Sequence, residues 1–203
     1  LRNSSAASDV YKRQIAWAMN GEALRPEQGY PIRLVVPGWE GNMWVKWLRR
    51  IEFGDKPYMT REETSKYTDL LSDGKARMFT WVMDAKSVIT SPCPEKPVLQ
   101  KGIHQIRGLA WSGRGKIKRV DVSLDGGKNW KTAQLHSPVL EKSLTRFTIP
   151  FEWNGEEMLL QSRAIDETNY VQPTIKELQN IRGVNSIYPV SYTHLRAHET
   201  FAN

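Results

Sequence analysis

Apolar positions along the chain follow two patterns that change near residue 90. Beyond it they come in short runs with period two. His104 to Trp111 is one extended run, and Val120, Val122 and Leu124 alternate with polar residues in the next. Asp125-Gly126-Gly127 is a hairpin turn signal, after which Trp130 to Leu135 returns; Arg146 to Phe151 and Met158 to Asp166 supply two more runs. Strands of this length over ~95 residues predict an immunoglobulin-like sandwich. Before residue 90 the pattern is mixed. Tyr30 to Gly38 reads as a strand entering a Pro-Gly turn, and Met43 to Phe53, rich in aromatic and branched residues, reads as one strand or two. Thr60 with Glu63 has capping-box spacing, so a short helix is expected from Thr60 to about Leu71, and Trp81 to Ile89 is extended again. This is α+β material that cannot close a core alone, as expected of the end of a larger domain.

Ser91-Pro92-Cys93-Pro94-Glu95-Lys96-Pro97 carries three prolines in seven residues and marks a stiff boundary. The expected organisation is an N-terminal tail over 1–14, a partial α+β domain over 15–90, an all-β domain over 91–189 and a C-terminal tail over 190–203. The two tails are small and polar, lack periodicity and resemble translated adapter sequence, so they are set aside from the fold.

Composition narrows the function classes. The 203 residues carry 29 Lys and Arg against 22 Asp and Glu, a net charge of +7. Without the ends, 25 basic and 20 acidic residues remain, so a surplus of +5 belongs to the folded part. Such a protein attracts anions. Its basic residues are interspersed with acidic ones and match no nucleic-acid module, which argues against nucleic acid as partner. One cysteine excludes a disulfide framework and a multi-cysteine zinc site in this chain, and no apolar run is long enough to span a membrane. His104 and His136 have no carboxylate or cysteine at metal-ligand spacing; Cys93, between prolines, reads as a spectator thiol. Ser123-Leu124-Asp125-Gly126-Gly127-Lys128-Asn129-Trp130 has the Asp-box pattern of propeller blades, but a single copy reads as a structural hairpin with Trp130 folded onto the sheet. The placement of three cations is more telling: Arg33 on a strand, Lys46 among aromatic residues, and Arg114 in the glycine-flanked loop Trp111 to Gly115.

Taken in order, these segments resemble a known family. Gln28-Gly29-Tyr30-Pro31-Ile32-Arg33-Leu34-Val35-Val36-Pro37-Gly38, then Val45-Lys46-Trp47-Leu48, is similar to the molybdopterin-binding domain of the sulfite oxidase family. Ala110 to Gly113, Arg119 to Gly127 with Trp130, Arg163 to Asp166, Val171 to Pro173 and Arg182-Gly183 are similar to its dimerisation domain. The likeness covers about residues 15–188, and Pro37 to Asn42 with Thr64 to Asp69 most resemble the bacterial sulfane dehydrogenase type. The resemblance implies a molybdenum-molybdopterin cofactor, oxygen-atom transfer to a sulfur oxyanion or sulfane substrate, a cytochrome c electron acceptor, a homodimer and a periplasmic location. It implies that Gln28, Arg33, Trp44, Val45 and Lys46 contact the cofactor, with Gln28 standing where the family has His. Tyr67 corresponds to an active-site Tyr, and Arg114, or Lys116 given the shorter loop, to an Arg that binds the oxyanion. The molybdenum-ligating Cys of the family has no counterpart, because Cys93 lies in the proline-rich stretch. The competing class is a non-catalytic immunoglobulin-like dimerisation or interaction module.

Overall fold

The computed structural model describes residues 13–56, 58–93, 98, 100–182 and 195–196. The rest of the two terminal stretches set aside above lies outside the described residues. The chain divides into two compact units, one up to Met83 and one from Asp84 onward.

The first unit is built from short pieces. Strand β1 (Gln14–Ala16) pairs antiparallel with β4 (Arg33–Val35), between which β2 (Ala18–Met19) and β3 (Glu22–Ala23) form a hairpin. A 3-10 turn spans Pro26–Gln28 and a second spans Gly41–Met43. Helix α1 (Arg61–Lys66) leads to the hairpin of β5 (Asp69–Leu70) and β6 (Ala76–Arg77). Trp39 bridges Val82 and stacks on Trp81 at 5.5 Å between centroids, so the Pro37 to Glu40 turn rests on the end of the unit.

Two expectations are corrected here. Met43 to Phe53 is not a strand: after the 3-10 turn it runs as irregular backbone tied by Leu34 N–H to the Val45 carbonyl (2.8 Å) and Leu48 N–H to the Ile32 carbonyl (3.0 Å). The bulky residues that imitate a strand instead hold side chains onto a neighbouring turn, and Trp47 takes a φ of 53°, which no ladder accommodates. The helix stops at Lys66 rather than about Leu71, because the residues after Tyr67 and Thr68 are drawn into the β5–β6 hairpin, and the Thr60 side chain makes no capping bond.

The second unit is a β-sandwich. Strands β7 (Lys86–Ser91), β8 (Gly102–Trp111), β9 (Ile117–Ser123), β10 (Lys131–Thr132), β11 (Gln134–His136), β12 (Thr145–Trp153), β13 (Leu159–Asp166) and β14 (Leu195–Arg196) form two sheets ordered β11-β12-β8-β7 and β10-β9-β13-β14. Neighbouring strands in both sheets pair antiparallel. The single run expected at Trp130 to Leu135 is split, with β10 in one sheet and β11 in the other. Inward-facing Ile106, Ala110, Val120, Val122, Phe147, Leu160 and Ala164 from both sheets form the core. Gly108 is required by packing: a Cβ there would lie 2.2 Å from the Phe147 ring and 2.4 Å from the Val88 carbonyl oxygen. Helix α2 (Ile175–Arg182) follows, its Thr174 N–H bound to the Glu177 carboxylate at 2.7 Å.

The Asp-box segment is the structural hairpin expected of it. Gly127 N–H reaches Ser123 Oγ at 2.8 Å, and Asp125 accepts the N–H groups of Lys128 and Asn129 at 3.0 and 2.9 Å. The Asn129 N–H, foremost among these donors, holds the Asp125 carboxyl well below the usual carboxylate range. Trp130 donates its indole N–H to the Gly127 carbonyl and lies under Arg163, 4.2 Å away.

Candidate functional site

In the first unit the structure brings Gln28, Arg33, Trp44 and Lys46 into one cluster. Arg33 projects from β4 and donates through Nη1 to the Gln28 carbonyl (3.0 Å) and through Nη2 to the Trp44 carbonyl (3.2 Å), with its guanidinium 5.8 Å from the Trp44 ring centroid. One side chain thereby ties the first 3-10 turn to the loop after the second. Lys46 repeats the theme: its ammonium donates to the Glu27 carbonyl at 3.0 Å and sits 4.6 Å from the Trp47 ring centroid. The Trp47 indole N–H then donates to the Pro26 carbonyl at 2.9 Å. Gly29 permits this clasp. Its φ is 108°, and an added Cβ would fall 2.9 Å from Lys46 Cβ. The Gln28 carboxamide oxygen accepts the Arg25 N–H at 3.1 Å, leaving its amide donor as the hydrogen-bonding end. Val45, 45 % exposed, contributes its carbonyl to Leu34.

Neither Arg33 nor Lys46 pairs with a carboxylate among the described residues; both are held by carbonyl oxygens alone. Arg33 Nε is enclosed and bonds to nothing described, and so are both amide atoms of Asn42, two residues before Trp44. Buried donors without partners are costly, about 1–3 kcal/mol each, and mark a place where another group belongs. Asn42 was not singled out in the sequence, where it is one residue of the Pro37 to Asn42 turn. Two cations without a carboxylate, one of them with an unpaired Nε, fit a phosphate, and the enclosed Asn42 amide offers a donor and an acceptor to a hydrogen-bonding ring. The cluster therefore suits the molybdopterin group. Tyr67, half-buried, closes α1, and its carbonyl accepts the Thr80 N–H at 3.0 Å.

Arg114, in the second unit, lies in a different environment. Its Nη2 reaches Asp84 Oδ1 at 2.7 Å, and the guanidinium covers the Tyr170 ring at 4.2 Å. Arg182, at the end of α2, donates to the other Asp84 oxygen. Both Asp84 and Arg182 are nearly enclosed, with side chains 9 % and 7 % exposed. Two guanidiniums thus share the Asp84 carboxylate. Burial first, and the neighbouring Asp84 charge next, push the Tyr170 phenol up. The loop itself is fixed by Ser112, which donates to Asp166 at 2.7 Å and accepts the Arg114 N–H at 3.1 Å. Burial pushes the Asp166 carboxyl up, but the hydroxyls of Thr168 and Ser112 and the N–H groups of Tyr170 and Thr168 outweigh it, so the group sits below its ordinary range. Lys116 is exposed and holds no ion pair among the described residues. Asp84, Tyr170 and Arg182 were not identified as a group in the sequence; no local signal joins residues so far apart.

The sequence matches the family described as Mo-co oxidoreductase dimerisation domain over residues 77–193, and the oxidoreductase molybdopterin binding domain over residues 2–62. Sulfite oxidase of Gallus gallus is 34 % identical over 200 residues, covering 91 % of this chain and 42 % of that protein. A nitrate reductase [NADH] of Solanum lycopersicum is 30 % identical, covering 84 % of this chain and 21 % of its own length. Among solved structures, the sulfane dehydrogenase SoxCD of Paracoccus pantotrophus superposes with a TM-score of 0.80 at 64 % identity, over 86 % of this chain and 45 % of that one. The chain thus spans less than half the length of each of these proteins.

Proposed function

The chain belongs to the sulfite oxidase family of Mo-co oxidoreductases, and from that premise we propose that it is part of a molybdenum-cofactor dehydrogenase that oxidises a sulfur substrate. The observation that carries the cofactor assignment is the pair Arg33 and Lys46, two cations seated on carbonyl oxygens with no carboxylate to neutralise them. The much higher identity to a sulfane dehydrogenase than to nitrate reductase, 64 % against 30 %, supports a sulfur compound over nitrate as substrate. When bound, the molybdenum group supplies two-electron oxygen-atom transfer chemistry. The chain's own residues bind and orient. Arg33 and Lys46 hold the pterin phosphate, and Gln28 and Asn42 offer hydrogen bonds to neutral parts of the same group. Tyr67 presents a hydroxyl to the substrate, while Arg114 or Lys116 counters the charge of a sulfur oxyanion. Cytochrome c is the proposed electron acceptor, the periplasm the proposed location, and the immunoglobulin-like sandwich the proposed site of homodimer contact.

The test uses the full-length protein that contains this chain. Purified, it should carry about one molybdenum per chain and reduce cytochrome c with sulfite or a sulfane donor. Arg33→Ala and Lys46→Ala should each lower molybdenum occupancy, measured by mass spectrometry, at least about tenfold if each supplies a charge-assisted bond of ~1.5 kcal/mol or more. Unchanged occupancy in both variants would overturn the assignment of these cations to the cofactor.

A further inference from the structure

One end of the outer face of the sheet β11-β12-β8-β7 concentrates positive charge. Strand alternation turns Arg107 and Leu109 of β8, Arg146 and Thr148 of β12 and His136 of β11 away from the buried Ile106, Ala110 and Phe147. The register makes them neighbours. His136 stands opposite Arg146 and Thr148 opposite Arg107, so Arg107 and Arg146 are diagonal partners. Diagonal positions lie about 7–8 Å apart, within reach of two long side chains. These residues line a groove of about 520 Å³, and no Asp or Glu is among its walls. Like charges set side by side on a sheet work against folding. Elsewhere in the second unit guanidiniums rest on carboxylates, Arg119 and Arg163 on Asp121, Arg114 and Arg182 on Asp84. Here they do not. Among the described residues the Arg146 side chain has no hydrogen-bond or ion-pair partner, and Arg107 is held only at Nε, by the Gln105 carboxamide oxygen at 3.2 Å. Thr148 Oγ1 is hydrogen-bonded to His136 Nε2 at 2.7 Å, which keeps the imidazole at the groove.

We propose that this groove binds a tetrahedral dianion of the sulfate and phosphate class. A dianion answers both guanidiniums at once, and each planar guanidinium can present parallel N–H donors to two of its oxygens. A monoanion would leave one of the two arginines unanswered. The charge is also too localised for an extended acidic partner. The far end of the same two strands carries Glu152 opposite Ile103, the latter 81 % exposed, so a run of carboxylates laid along the face would meet repulsion and apolar surface there. Arg107 and Arg146 are exposed, and water and salt screen their attraction, so the dissociation constant should be on the order of 1 mM. This site goes beyond the cofactor assignment above: Arg33, Lys46 and Asn42 take no part in it.

Isothermal titration calorimetry of the full-length protein with inorganic sulfate, at an ionic strength held constant with chloride, tests this. Circular dichroism checks that each variant folds. The wild type should bind sulfate in the groove, and inorganic phosphate should displace it where chloride does not. Arg107→Gln and Arg146→Gln should each weaken this binding at least about fivefold, since each removes one charge-assisted contact. The double variant Arg107→Gln/Arg146→Gln should lose it, while Arg33→Ala, in the first unit, should leave it unchanged. Sulfate binding of the same affinity and stoichiometry in the double variant as in the wild type overturns the site. So does a wild type that takes up no sulfate at about 20 mM, twenty times the expected dissociation constant. Displacement by chloride as effective as by phosphate overturns the preference for a dianion.

Discussion

Two sets of cations, one in each unit, are held in opposite ways. In the first, Arg33 and Lys46 are tied to backbone carbonyls, which fix position without cancelling charge. In the sandwich, Arg114 and Arg182 share Asp84, and Arg119 and Arg163 share Asp121. A carbonyl dipole orients a cation and leaves its field available to a ligand; a buried carboxylate orients it and consumes most of that field. Under the proposed reading, the contrast separates cations left for an anionic group from cations kept for the fold. Arg114 stands between the two, because one carboxylate answers two guanidiniums.

The comparison breaks most sharply at Asp84. Asp84→Ala removes the carboxylate that enclosed Arg182 binds and should cost about 3–5 kcal/mol in chemical denaturation, the usual penalty for breaking a buried ion pair. Arg33→Ala removes only bonds to carbonyls from a half-buried side chain, so its stability cost should be smaller, about 1–2 kcal/mol. Equal losses in the two variants would erase the distinction.

A second test uses acid. Asp125, Asp166 and Glu177 all lie in the second unit, and hydrogen bonds lower each of them below its ordinary value. A carboxyl lowered on folding contributes stability above its unfolded value, 3.8 for Asp, and loses it as pH falls toward the folded one. Stability should therefore hold from neutrality to about pH 4 and fall below it, followed by the fluorescence of Trp130 and Trp153. A sandwich equally stable at about pH 2 and pH 6 would refute this, since the bonds to Asp125 and Asp166 would then be worth nothing.

The smallest effect is expected at Thr60. Its side chain makes no capping bond, so Thr60→Ala should change the unfolding free energy by less than about 0.5 kcal/mol, where a working cap would cost about 1.

Legibility in the sequence tracked the range of the interactions. The alternation of Val120, Val122 and Leu124 announced β9, and the hairpin of Ser123 to Trp130 was readable because its bonds link residues no more than four apart. Segment Met43 to Phe53 misled for the converse reason. Its aromatic and branched residues have strand propensity, but Lys46 and Trp47 bind carbonyls about twenty positions earlier, and those contacts override it. Of the residues proposed to hold the cofactor, Arg33 and Lys46 stood out in the sequence by type and order, and Asn42 did not, since no spacing announces an enclosed amide.

By itself the sequence determined the β-rich sandwich and its hairpin turns, and through the order of its motifs the family. These depend on side-chain period and on bonds between near neighbours, which local chemistry specifies. Only the tertiary structure decided which cations have a carboxylate beside them and which rest on carbonyl oxygens. Asp84 reaches Arg114 across thirty positions and Arg182 across ninety-eight, and the field of a guanidinium is set by what folding places beside it.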